Sequence, residues 1–156
     1  MRDLLPTIRN AVRAVVVRDG AILMQKKWSE TRGDWYALPG GGQEVQETLI
    51  QALQRECEEE IGVKVEIGDL LHVADFYKQR ETEYPSTRHL VEFLFACTVP
   101  DDYAPVNGSH PDKHQVDVVW LPLHELSNHR LFPAGLTSCL AGLREQQHDR
   151  YLGTLD

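Results

Sequence analysis

The sequence predicts an α/β fold of the α+β kind, a mixed β-sheet sandwiched between helices. Three observations predict it. Strand-like segments form one group before and one group after a central helical pattern, and a second helical pattern comes near the end. That order suits helices layered on one sheet. The 156 residues fit a single domain, 1–156, without a repeat or a low-complexity linker. The apolar share of 42% is ordinary for a globular chain, so a core of this size needs no disulfide or metal staple.

The elements follow in order. "AVRAVVVRDGAILMQKK" reads as two strands joined at Asp19-Gly20, a dipeptide suited to the positive φ angles of a tight hairpin. "WSETRGD" reads as a polar loop, and "WYALPGGG" as a short apolar strand ended by Pro39 and three glycines. "QETLIQALQRECEEEI" has helical character, with Gly62 placed for a left-handed C-terminal cap. "KVEIGDLLHVADFYKQ" and "TRHLVEFLFACTV" are strand-like, joined by the polar turn "RETEYPS". "VPDDYAPVNGSHPDKH" is a loop, "QVDVVWLPLHEL" a strand running into a short turn, and "AGLTSCLAGLREQQH" a terminal helix.

The formal net charge of −8 argues against a groove for a nucleic-acid polymer, which would leave a basic footprint. A small phosphate-bearing ligand held through a metal ion stays open. Cys57, Cys97 and Cys139 are scattered and odd in number, as expected of reduced thiols in the cytoplasm. The N-terminal residues show neither a signal-peptide pattern nor a membrane-spanning run, so a cytoplasmic chain away from the membrane is expected.

Four of the five residues 56 to 60 are glutamates. On a helix, with Glu56 at zero, Glu60 falls near about +40° and Glu59 near about −60°, while Glu58 falls near about 200°. Leu49, Ile50, Leu53, Cys57 and Ile61 fall between about 20° and 140°, a core-facing stripe. Three carboxylates therefore border the core, where negative charge is costly without a positive partner. They also lie at the helix C-terminus, where the macrodipole disfavours them. An acidic helix run is ordinarily a solvated face. Here a hard divalent cation such as Mg²⁺ is the natural partner.

A longer spacing supports that reading: Gly41, five residues, Glu47, seven residues, then Arg55-Glu56-Cys57-Glu58-Glu59-Glu60-Ile61-Gly62-Val63. This resembles, position for position, the Nudix box GX5EX7REUXEEXGU, where U is a bulky apolar residue. Seven identities at roughly 7% each make chance agreement on the order of 10⁻⁸ per window. Cys57 stands at a usually aliphatic position, and a buried thiol behaves there as a small hydrophobe. The segments "LPGGG" before the box and "VVWLPLHEL" after it also resemble the family.

The resemblance implies the Nudix fold and hydrolysis of a nucleoside diphosphate linked to a further group X. It implies that Glu56, Glu59 and Glu60 bind Mg²⁺, with Mn²⁺ as a substitute, joined by a backbone carbonyl of Gly40 or Gly41. Arg55 and Glu47 would support the site, and Glu56 or Glu59 would serve as general base. Many relatives use a later glutamate, but none occurs here between Glu92 and Glu125. That leaves Asp101, Asp102, Asp112, Asp117 and His114 as late candidates, with Glu92 in its strand facing either the cleft or the solvated side of the sheet. For a base to stack on, the candidates are Trp28, Trp35, Tyr36, Phe76 and Tyr77. For phosphates they are Lys26, Lys27, Arg32, Lys78, Arg80 and Arg88. The expected substrate is ADP-ribose-like or a nucleoside-diphosphate sugar. Alternatives are an oxidised or ordinary nucleoside triphosphate, or a nucleotide-sensing module without turnover. A homodimer is left open.

Overall fold

The computed structural model describes residues 3–80, 82–144 and 149–156. Among them run eight strands and two α-helices: β1 (Leu4–Arg18), β2 (Ala21–Ser29), β3 (Gly33–Ala37), β4 (Gly40–Gly42), α1 (Leu49–Ile61), β5 (Glu66–Arg80), β6 (Ser86–Thr98), β7 (Gln115–Pro122), α2 (Leu136–Arg144) and β8 (Tyr151–Thr154). The sheet is mixed, in the order β3-β2-β1-β6-β5-β8, with β4 paired to β1 and β7 to β2. The β1–β6 and β5–β8 pairs are parallel, and the remaining pairs are antiparallel.

The sandwich follows from alternation along the strands. Val12, Ala14 and Val16 of β1 face one side, where they meet Leu53, Cys57 and Ile61 of α1. Val15 faces the other, where Leu94, Leu136 and Leu140 form a second core with α2. Successive strand residues point to opposite faces, so each face acquires its own helix. Helix α1 is delimited as its sequence suggests. Thr48 and Gln51 form a reciprocal capping box at its start, and Gly62 ends it at φ 70°.

Four expectations need correction. Strand β1 begins at Leu4, well before Ala11; Pro6 falls where the register with β6 shifts between Leu4 and Ile8, so its missing N–H breaks no ladder there. The "WSETRGD" loop shrinks to residues 30–32, because β2 continues to Ser29 and β3 starts at Gly33. Ile50, assigned to the core stripe, is 44% exposed. It is the second helical residue, and Leu49 alone of that pair packs on the core. Strand β8 was not foreseen: four residues carry too short an alternation to signal a strand. The expected end of the terminal helix at 145–148 lies outside the described residues.

Candidate active site

The box folds as β4, a loop and α1, bringing its charged residues to one end of the sheet. Arg55 organises them. Its Nε donates to Glu47 Oε2 at 2.6 Å and its Nη2 to Glu47 Oε1 at 2.9 Å, a two-pronged pairing. The same guanidinium donates to Glu56 Oε1 at 3.0 Å, to Glu59 Oε2 at 3.5 Å and to the Gly42 carbonyl at 3.1 Å. Glu47 first, and then Glu56, raise the Arg55 pKa against its burial, and the Arg55 hydrogen bond in turn lowers that of Glu47.

The helical arc is realised in burial. Glu60 is 2% exposed, whereas Glu58 points to solvent. Among the described residues, both hydrogen bonds to the Glu60 side chain fall on Oε2. The Gly40 N–H donates to it at 2.9 Å, and the buried Gln25 amide donates through Nε2. Burial pushes the Glu60 pKa from 4.5 to about 9; the Gly40 N–H opposes this, while Asp112 and Glu56 push the same way. Gln25 Oε1 is itself buried with no hydrogen-bond partner among the described residues.

Two glycines are required by contact. A Cβ on Gly40, whose φ is 140°, would lie 1.9 Å from the Val12 carbonyl. A Cβ on Gly41 would lie 2.6 Å from the Glu56 carboxylate. The glycine run therefore lets β4 press against β1 and lets Glu56 lie on bare backbone.

The oxygen-rich set of Glu56, Glu59, Glu60 and the Gly41 backbone suits a hard cation, and the buried Glu60 acid calls for positive charge. Among the described residues no three His, Cys, Asp or Glu side chains already converge as a cage. Glu56 and Glu59 engage Arg55, and Glu60 engages Gln25 and Gly40.

Beside the box opens a cleft of about 570 Å³. Arg13 connects the two. It donates to the Gly40 carbonyl at 3.0 Å and pairs with Glu92 at 2.9 Å. Burial opposes the Arg13 charge, but Glu92 raises its pKa overall. Glu92 thus faces the cleft, bound to Arg13, and not the solvated side. Of the late-loop candidates, Asp112 lines the cleft and pairs with Lys27 at 2.6 Å. Burial would raise the Asp112 pKa, but Lys27 holds it below the usual value. Asp101, Asp102 and Asp117 are exposed surface residues away from the cleft lining. His114 is exposed at the cleft edge, 5.6 Å from the Trp35 ring.

Trp35, Phe76 and Tyr77 line the cleft, and Phe76 meets Phe132 edge-on at 5.5 Å. Trp28 and Tyr36 are not among its lining residues, and neither is Lys26; Lys27, Arg32, Lys78, Arg80 and Arg88 are. Sequence reasoning missed Arg13, Gln25 and Phe132. The first two had a visible signal, a polar side chain inside an apolar strand run, in "AVRAVVV" and "ILMQKK". Phe132 had none.

A profile of the NUDIX domain matches residues 7–138. The chain belongs to the Nudix hydrolase family. Its similarity to the low-salt glycan biosynthesis protein Agl8 of Haloferax volcanii is 32% identity over 64% of this chain and 65% of that protein, so the match spans just under two thirds of the relative's length. Similarity to the CTP pyrophosphohydrolase of Escherichia coli is 34% over 80% of this chain and 84% of that one. The solution structure of the E. coli ORF135 protein superimposes with a TM-score of 0.61 at 26% identity, covering 89% of this chain and 90% of that one. This Nudix chain contains no helix among its described residues that is long and apolar enough to cross a membrane.

Proposed function

We propose that this chain is a Mg²⁺-dependent hydrolase of a small nucleotide, cleaving the diphosphate between a nucleoside and a further group X. The observation that carries the reading is Glu60: an acid 2% exposed, held among the described residues through Oε2, whose ionisation burial and the neighbouring Asp112 and Glu56 oppose. Such an acid is stabilised by a cation on its other oxygen. Glu56, Glu59, Glu60 and the Gly41 backbone would hold Mg²⁺, and Mn²⁺ could replace it. When bound, the ion neutralises the diphosphate and makes a water more acidic.

The chain's own residues supply the rest. Arg55 clamps Glu47 and Glu56, holding the box loop against the helix. Of the two box carboxylates able to take a proton from the attacking water, Glu59 is the freer. Its side chain is 37% exposed and is held by Arg55 at only 3.5 Å. Asp112 is committed to Lys27. The water oxygen bonds to phosphorus, its proton goes to the carboxylate, and the bridging P–O bond breaks with its electrons on the leaving phosphate. Arg13 and Lys27, on the cleft side of Gly40 and Asp112, attract the diphosphate to that position.

The E. coli relative is named for CTP, which supports a nucleotide as substrate. A nucleotide-sensing role without turnover would tolerate loss of box carboxylates, yet all are present here. The test is phosphate release from a panel of nucleoside diphosphate sugars, ADP-ribose and nucleoside triphosphates, with Mg²⁺ and with EDTA. Mg²⁺-dependent cleavage of at least one of them is expected. Nucleotide binding without cleavage of any would establish the sensor instead.

A further inference from the structure

The cleft is strongly cationic although the chain carries a net charge of −8. Seven Lys or Arg side chains line it, against two carboxylates. Both carboxylates are occupied, Glu92 by Arg13 and Asp112 by Lys27. Of the five other cations of the lining, Lys78 and Arg88 stand together. They are direct cross-strand partners on β5 and β6, with Phe76 and Leu90 the next pair along the same face. Like charges directly opposite in an antiparallel pair destabilise a sheet. Among the described residues neither takes part in an ion pair, and Arg88 Nε is buried without a hydrogen-bond partner.

Their surroundings add to the cost. Lys78 is an exposed residue, yet desolvation against the cleft wall lowers its pKa, as do Arg13 and Lys27, with Asp112 and Glu92 opposing in part. Burial lowers that of Arg88 also, with Arg80 and Arg9 next. Glu92 and Asp112 offset the charge of the pair only in part, so an anion set between the two would be stabilised. Phe76 and Leu90, beside the pair, give the same cleft an apolar stretch against which a base can rest.

We propose that Lys78 and Arg88 form an anion subsite that selects a substrate with a phosphate-bearing X, a nucleoside triphosphate, over nucleotides whose X is a neutral sugar. This rests on the hydrolase reading above. Sugar hydroxyls would accept hydrogen bonds from the pair but leave its charge uncompensated, whereas a third phosphate compensates it.

Lys78→Met and Arg88→Met test it, since methionine keeps the aliphatic stem and removes the charge. The probe for binding is inorganic tripolyphosphate, titrated calorimetrically without metal. Each variant should bind it about tenfold more weakly, as expected for one charge-assisted contact. With Mg²⁺, kcat/KM on a nucleoside triphosphate should fall about tenfold, through KM, while ADP-ribose changes less than about threefold. Melting temperatures should stay level or rise, because a repulsion has been removed. Equal losses on both substrates, or unchanged tripolyphosphate affinity, would overturn the subsite. A wild-type protein that cleaves no nucleotide would sink the hydrolase reading, and the tripolyphosphate titration would still decide the subsite.

Discussion

Glu60→Gln separates the electrostatic cost of the site from its chemistry. Glutamine keeps an oxygen to accept from the Gly40 N–H and Gln25, but it cannot ionise. In the parent, burial pushes the folded carboxyl up to about 9 from its ordinary value of 4.5. Between those values the folded state holds a proton that the unfolded state has released. The stabilising contribution is therefore complete below pH 4.5 and is lost as pH rises towards 9, at about 1.4 kcal/mol per pH unit. At pH 7.5 the loss is on the order of a few kcal/mol, and solvent screening reduces it little because the side chain is 2% exposed. The variant escapes this loss, and groups far from Glu60 are common to both proteins, while Asp112 and Glu56 lose a neighbour that opposes their charge. Urea unfolding in EDTA from pH 5 to 9 should show the variant gaining on the parent as pH rises. A stability difference that stays constant across that range would refute the argument.

Further substitutions probe the same helix and loop. With saturating Mg²⁺, Glu59→Gln and Glu60→Gln should lower kcat by roughly 10²–10⁴, whereas Glu58→Gln, on the exposed side, should change it little; equal damage at Glu58 in steady-state assays would dismiss the arc. Gly41→Ala places a methyl 2.6 Å from the Glu56 carboxylate, whose flexible end can move aside. Its melting temperature should therefore hold within about 3 °C while kcat falls, and a collapse of the fold would show that Gly41 serves packing alone.

The box half of the site was legible because its interactions are local. Glu47 and Arg55 meet across eight residues, and the arc of Glu56, Glu59 and Glu60 follows from helical rotation alone. The Thr48 cap and the Gly62 stop are likewise fixed by near neighbours. The cleft half was not legible, because its pairs are distant. Arg13 finds Glu92 across 79 residues and Lys27 finds Asp112 across 85, and no sequence pattern announces which charges will meet. The parallel β1–β6 pairing that brings Arg13 and Glu92 together depends on the whole sheet order. Ile50 shows the limit of periodicity even within the helix, since angle alone does not tell where the sheet beneath a first turn ends.

The cationic cleft in an acidic molecule bears on how a substrate arrives. Far from the surface, a polyanion meets the field of the net charge of −8 and is repelled. Near the mouth it meets seven cationic side chains and is drawn in. At physiological ionic strength the screening length is about 8 Å, short enough to hide the distant charges yet comparable with the cleft itself. Added salt, starting from very dilute buffer, therefore first speeds encounter by weakening the long-range repulsion, and slows it only once the mouth is screened too. Most cationic sites capture nucleotides fastest in the lowest salt; this one should have its fastest capture at an intermediate ionic strength.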